Sequence, residues 1–322
     1  MCWRSSRRGR AAMAHQRCAM RRPATAICGK NASINPQSLT CPPFRPHRKV
    51  GTSDRSDHLA RQSSSNAGRA AEILIQLGQA DRRGMALASL AETLGEAKSS
   101  VHRTLVALAD FGLVMQSGNR GNYMLGPAAY ALAHRSTGAN EIVATYRPAL
   151  IEITGRTQFS TYLMVRSGLD TICLDHQMGQ IAAQPYVSGI GGRIPMGVGV
   201  SGVCILGMMD PRSRSRSLDL LEDRLADWNL TRPQIESEIA EFQRHGFLRG
   251  IRRSAGIESL TLAVPILSDH LRGIETSISL LAPLNVLDAA AEQNAVHVMR
   301  DAIAMAGHHA NVTTRHADTA AK

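Results

Sequence analysis

Long apolar runs, aromatic residues and paired cysteines are all scarce in this chain of 322 residues. No run approaches the roughly 18 uninterrupted apolar residues of a membrane-spanning helix, the longest stretches lying near residues 200–209 and 261–267, and this sets aside a helical membrane protein. Aromatic residues make up 4% of the chain. Cysteine occurs six times, with no CxxC pair: four cysteines lie in the first 41 residues, while Cys173 and Cys204 sit in apolar runs and read as buried thiols of a reducing cytosol. A secreted disulfide scaffold and a zinc ribbon are both disfavoured. Also missing are a GxSxG elbow, an HExxH pair and a Walker loop, and the twelve histidines do not cluster, so no metal, cofactor or catalytic residue is expected. With 43% apolar and 20% charged residues, the composition is that of a globular protein large enough for two domains.

Acidic residues are scarce only locally. Residues 1–62 hold 13 Lys/Arg against Asp54 and Asp57, whereas the remainder carries 24 bases and 24 acids. The net charge of +11 therefore describes one segment, and DNA binding by the folded part must rest on local motifs. That segment, rich in Arg, Ser and Pro without apolar periodicity, is expected to be disordered. Its Arg richness resembles an organellar transit peptide, but a translation start further downstream, for example at Val50, or an idle tail is preferred to a DNA-gripping arm.

From Asn66 the pattern becomes helical, with Ala70, Ile73, Leu74 and Leu77 at i, i+3, i+4, i+7. A short second helix is expected over Leu87–Leu94, closed by Gly95, and a third carries Val101, Leu105 and Leu108 as its buried stripe. Two helices joined by a short Gly-containing turn have the geometry of a helix-turn-helix, whose second member enters the DNA major groove. The outward face of that helix reads Lys98, Ser99, Ser100, His102 and Arg103, side chains suited to phosphates and base edges. Residues 112–116 and Tyr123-Met-Leu125, around a Ser/Gly/Asn turn, predict a β-hairpin wing with Arg120 at its tip.

The segment from Leu87 to Lys98-Ser-Ser-Val-His-Arg103, followed by Gly112-Leu-Val and Tyr123-Met-Leu-Gly-Pro127, resembles the winged helix of IclR-type bacterial transcriptional regulators. The resemblance extends over about residues 66–308. It implies an α+β protein: an N-terminal winged helix-turn-helix (66–126), a linker helix (127–138), a GAF-like α+β effector domain (139–308) and a disordered C-terminal tail (309–322). Within the second domain the sequence itself predicts a helix over 141–154, strands over 159–165 and 171–174, a helix over 201–209, an amphipathic helix over 232–245, strands over 260–267 and 274–281, and an Ala-rich helix over 287–306.

Gly197-Val-Gly199-Val-Ser-Gly202 is a literal GxGxxG. A dinucleotide fold would need a parallel strand running into the first glycine and an acid about twenty residues on. Here Pro195, Gly189, Gly191 and Gly192 interrupt the approach, and an Arg/Ser-rich loop is expected before Asp219 and Glu222. The glycines then serve either close packing of loop on sheet or a small anion site at a helix N-terminus near Ser201. The family resemblance implies the latter, a metabolite pocket formed by this loop and the last strands. Its candidate residues are Met196, Gly197, Val198, Gly199 and Ser201 in the loop, with Ile257, Ser277 and Ser279 on the strands; Ser277 and Ser279 alternate onto one strand face. Many family members carry a His-x-Thr motif where this chain has Gly197-Val-Gly199.

The expected function is a cytoplasmic, non-enzymatic transcription factor that binds a palindromic double-stranded operator as a homodimer or a tetramer and responds to a small-molecule effector, a carboxylate. Two rival readings remain: a nucleotide- or small-molecule-binding enzyme using the Gly197–Gly202 loop, and an interaction module whose winged helix binds protein. The latter draws on the modest charge of residues 66–126, six bases against five acids.

Overall fold

The computed structural model of the chain describes residues 55–117, 121–135, 137–187, 189–254, 256–267 and 274–320, with side chains placed between residues 66 and 308 except at 137 and 254. Residues 1–54 and Arg120 lie outside the described residues.

Helices α1 (Arg55–Gln79), α2 (Leu87–Leu94) and α3 (Lys98–Asp110) pack around Ile73, Leu77, Leu90, Leu94, Val101, Leu105 and Leu108. This is the apolar stripe that the i, i+3, i+4 spacing predicts. Gly95 ends α2 at φ 62°, ψ 29°, its N–H bonded to the last carbonyls, because a residue with a Cβ is strained in that left-handed conformation. Strands β1 (Val114–Gln116) and β2 (Tyr123–Leu125) form the expected antiparallel hairpin. Met85 extends it through two backbone bonds of 2.8 Å to Tyr123. The helix α1 reaches back to Arg55, within the segment expected to lack structure, because no proline interrupts the Ala-, Ser- and Gln-containing run ahead of Asn66.

Helix α4 (Pro127–His134) starts with proline in its first turn and buries none of its residues. Helix α5 (Thr137–Thr157) then leads into a six-stranded sheet of order β5-β4-β3-β8-β7-β6, in which every neighbouring pair is antiparallel. The strands are β3 (Ser160–Ser167), β4 (Asp170–Gln177), β5 (Arg193–Pro195), β6 (Leu248–Ser254), β7 (Ile257–Ile266) and β8 (Thr276–Pro283). One face packs on α5 and α9 (Ala289–Ala320), through Leu163, Leu262, Ile278 and Leu280 against Ile142, Leu150 and Met299. The other face packs on α6 (Val200–Met208), α7 (Pro211–Ala226) and α8 (Arg232–His245), whose inward residues include Ile205, Leu221, Ile235 and Phe242.

Three expectations are corrected. The Arg/Ser-rich loop is the first half of α7: Asp210 caps it by accepting from the amides of Arg212 and Ser213, Pro211 occupies the first turn, and Leu218, Leu221 and Leu225 form the buried stripe. The segment after Gly192 forms a short edge strand, where Pro195 is tolerated because an edge position leaves one side of the backbone unpaired. The final helix continues to Ala320 rather than giving way near residue 308, since Gly307 alone costs only about 1 kcal/mol and no proline follows it.

Candidate functional site

The fold offers two places where polar chemistry concentrates. In the first, burial of Val101, Leu105 and Leu108 fixes the rotation of α3, leaving Lys98, Ser99, His102 and Arg103 exposed and Ser100 half-buried. The residues singled out on this helix therefore share one outward surface at its N-terminal end, where the helix dipole favours a phosphate. The approach to α3 is braced from α1: Arg69 Nη2 lies 3.1 and 3.2 Å from the two carboxylate oxygens of Glu96, and Arg69 Nη1 donates to Asn66 at 2.8 Å. This pairing neutralises an acid that stands two residues before Lys98, and it removes Arg69 from the bases available to DNA. At the base of the wing, Asn122 donates to the Arg83 carbonyl at 3.0 Å, placing the exposed Arg82 and Arg83 beside the hairpin. Sequence reading counted these two arginines without assigning them; the signal is the long-range tie from Asn122, which no local pattern displays.

The second place is a cavity between the sheet and the N-terminal end of α6. It admits the centres of water-sized spheres over about 50 Å³, room for about three waters or the head of a small ligand. Register builds its floor: Tyr162 on β3 pairs with Ser279 on β8, and Leu281 beside it pairs with Thr261 on β7. Met164, Ile194 and Val200 add apolar wall, and Pro185, Tyr186 and Val187 form a cover. Arg252 on β6 also lines the cavity, but its charge is matched. Its Nε donates to the Val198 carbonyl at 2.7 Å, and Nη1 and Nη2 donate to the Glu238 carboxylate at 2.7 and 2.5 Å. Arg252 is thus a brace holding the glycine loop against β6 and α8. Helix α6 has Gly199 at its start without a side-chain cap, so the amides of Val200 and Ser201 present the positive end of its dipole at the cavity edge.

Of the loop and strand candidates, Gly199, Ser201 and Ser279 line this cavity. The remaining five lie elsewhere. Met196 and Val198 are fully buried in the core beneath α7 and α8, packed in one cluster with Leu225 and Ile235. Gly197, at φ 94°, packs so closely that a Cβ would stand 2.9 Å from Leu225 Cδ2. Ser277 is buried and donates to the Ser201 carbonyl at 3.3 Å, tying β8 to α6, while Ile257 opens β7 on the exposed end of the β6–β7 hairpin. A Cβ on Gly202 would meet the Gly197 nitrogen at 3.1 Å. A Cβ on Gly199 would stand 2.5 Å from Ile194 Cδ1, so close packing accounts for all three glycines of the GxGxxG, and β5, antiparallel to β4, removes the parallel strand that a dinucleotide fold requires. Sequence reading missed Tyr162, Arg252, Thr261 and the 185–187 cover, which only the sheet order brings together.

The cavity walls titrate far from neutrality. Burial pushes the Tyr162 hydroxyl up to about 12, with the neighbouring Cys173 thiol adding to the effect and a hydrogen bond with Ser160 opposing it. Burial, and then Asp175, pushes the Cys173 thiol up to about 12 as well, and burial also raises Cys204. Tyr162 thus stays a neutral donor, and both thiols stay protonated. Its ring stacks on His176 with centroids 5.9 Å apart, and the buried Nδ1 of His176 has no hydrogen-bond partner among the described residues.

Residues 67–118, spanning α2, α3 and β1, match the IclR helix-turn-helix domain. Over these residues the chain carries the helix-turn-helix domain of IclR-type transcriptional regulators. An HTH-type transcriptional regulator of Mycobacterium tuberculosis is 29% identical over 237 residues, which cover 69% of this chain and 90% of that protein. The IclR fold extends through the second domain. An IclR homologue from Microbacterium hydrocarbonoxydans, solved with 4-hydroxybenzoate, superposes with a TM-score of 0.62 at 19% identity, covering 77% of this chain and 99% of that one. An IclR transcriptional regulator from Alicyclobacillus acidocaldarius gives 0.60 at 21% identity, covering 76% of this chain and 97% of that one. Among the described residues, no helix is long and apolar enough to cross a membrane, and no group of three or more His, Cys, Asp or Glu is placed to hold a metal ion.

Proposed function

We propose that this IclR-type regulator acts in the cytoplasm as a homodimer on a palindromic operator, and that a small carboxylate with an apolar body enters the cavity beside α6 and changes operator affinity. The observation that carries the ligand class is the α6 N-terminus with Ser201 at one edge of a mainly apolar cavity: two amides and a hydroxyl suit a carboxylate, while Met164, Ile194 and Leu281 suit a ring or short chain. Arg252, already neutralised by Glu238, leaves the helix end and the hydroxyls as the recognising groups. The 4-hydroxybenzoate bound by the Microbacterium homologue is a ligand of this chemistry. The same reading makes the cavity a binding site rather than a catalytic one: Tyr162 and the thiols are held protonated, and the relatives are regulators.

Lys98, Ser99, Ser100, His102 and Arg103 would read the major groove, with Arg120 on the wing. Dimerisation is supported by α4, whose Tyr130 and Leu132 are largely exposed next to the equally exposed Phe111. An eight-residue helix burying none of its own residues is marginal in water, and a second copy related by a twofold axis would cover it and double the operator contacts. The test is equilibrium binding of the full chain to its own upstream intergenic duplex and to random duplex at one stated salt, with and without 4-hydroxybenzoate. A preference of about a thousandfold for the upstream duplex is expected, together with a shift in that affinity on adding the acid. Unchanged DNA affinity at saturating, demonstrably bound acid would remove the effector from the mechanism.

A further inference from the structure

Among the described residues, the turn beyond the cavity cover is hydrogen-bonded to the first helix of the DNA-binding domain. Gln79, the last residue of α1, donates from Nε2 to the Gly191 carbonyl at 3.3 Å. Gly191 belongs to the tight turn that follows the 185–187 cover. Its amide bonds the Cys173 carbonyl at 2.8 Å, the Gly192 amide bonds Gly189 at 2.9 Å, and the Cys173 amide bonds Gly192 at 2.9 Å. The turn is therefore pinned to β4 on one side and to α1 on the other. It also rests on the cavity wall: the Gly189 Cα lies against the His176 ring, where an added Cβ would stand 3.2 Å from Cε1, and that ring stacks on Tyr162.

On its other side α1 is tied into every part of the DNA reader. Ile73 and Leu77 are buried in the helix-turn-helix core, so α1 moves with it as one body. Gly78 packs against Leu125 of the wing, where an added Cβ would stand 3.7 Å from Cδ1. Arg69 clamps Glu96 in the turn that launches α3. A displacement of residues 189–192 that breaks or shifts the Gln79 bond thus acts on an element that carries both the wing and the recognition helix.

We propose that Gln79 is a coupling residue, transmitting the state of the cavity cover to the winged helix through its bond to Gly191. This rests on the reading of the cavity as the effector site, but linkage is reciprocal, so DNA itself can serve as the probing ligand. The experiment is hydrogen exchange on the full chain, with and without double-stranded DNA at low salt, for the wild type, Gln79→Ala and Gln79→Glu. The second substitution sets a carboxylate against the Gly191 carbonyl. In the wild type, DNA should change the exchange rates of residues 185–192 by about fivefold or more, and both variants, still bound to DNA, should lose that response while the amides of α6 and β8 keep their protection. An unaltered segment in the DNA-bound wild type, or an equal response in both variants, overturns the coupling. A second arm measures the effect of 4-hydroxybenzoate on DNA affinity. If the acid is without effect while the DNA-dependent exchange responds through Gln79, the coupling stands and the effector reading fails.

Discussion

Replacing Glu238 by Ala should destabilise the second domain more than removing its partner, Arg252. The two side chains form a bidentate pair at 2.7 and 2.5 Å, with Arg252 7% and Glu238 24% exposed. Loss of Glu238 leaves a buried guanidinium holding only the Val198 and Ile251 carbonyls, at 2.7 and 3.2 Å. Stranding one member of a buried pair costs about 3–5 kcal/mol, and the partial exposure of Glu238 brings the expected value to the lower end, about 3 kcal/mol. Arg252→Met keeps the packed stem and strands only a half-solvated carboxylate, so about 1–2 kcal/mol is expected. Urea unfolding followed by fluorescence of Trp228, whose ring packs 6.0 Å from Tyr186 beside this core, would read both in a Trp3→Phe background. With a slope of about 3 kcal/mol/M, Glu238→Ala should move the midpoint by about 1 M. Equal losses in the two variants, or a loss below about 1 kcal/mol for Glu238→Ala, would refute the argument that desolvation of Arg252 dominates.

Arg103→Ala should cost about 1–3 kcal/mol of discrimination between operator and random duplex, measured by competition binding; equal loss on both would make Arg103 a phosphate contact. Ser201→Val, which removes the hydroxyl and adds a methyl group at the cavity edge, should weaken 4-hydroxybenzoate binding at least tenfold, about 1.4 kcal/mol, in calorimetric titration, and an unchanged affinity would move the carboxylate elsewhere. The alkaline limb of stability should depend on Tyr162. Burial holds its folded value at about 12, above the ordinary tyrosine value of 10.0, so the folded state holds the proton longer and stability falls as pH rises from about 10 to 12. Tyr162→Phe should flatten that limb by up to about 2 kcal/mol, and an identical slope in the variant would mean that Tyr162 ionises freely in the fold.

What was legible in the sequence was the part whose signals are local. The stripe of α3 and the glycine stop after α2 are each written within a few residues. The wing needed only a turn between two apolar triplets. Helix α7 was hidden because alternating Arg and Ser residues open it and its leucine stripe starts only at Leu218. Strand β6 was hidden because its inward positions are Leu248, Gly250 and Arg252, and Arg252 reads as solvent-facing until Glu238, fourteen positions away on α8, neutralises it. The same non-locality governs the cavity: Tyr162, Thr261 and Ser279 meet because β8 runs between β3 and β7, an order that no segment specifies by itself.

The distribution of charge also sets how DNA binding depends on salt. Of the bases in residues 66–126, Arg69 is held by Glu96 and Arg83 leans 3.9 Å from Asp81, whereas Lys98, Arg82 and Arg103 are exposed and unpaired among the described residues. Adding Arg120 gives at most about four charges per protomer that can neutralise phosphates, Arg103 counting only if it contacts one. As the proposed dimer, the protein without residues 1–54 should therefore show a log–log salt slope no steeper than about −7 on duplex DNA, at about −0.9 per neutralised phosphate. Residues 1–54 carry 11 bases and one acid, so restoring them should steepen the slope on operator and random duplex alike and leave the ratio of the two affinities unchanged, because phosphate contacts carry no sequence information. Filter binding or anisotropy across 50–300 mM salt would measure both. If the ratio itself rose several-fold with residues 1–54 present, that segment would be reading sequence, and specificity could not be assigned to α3 and the wing alone.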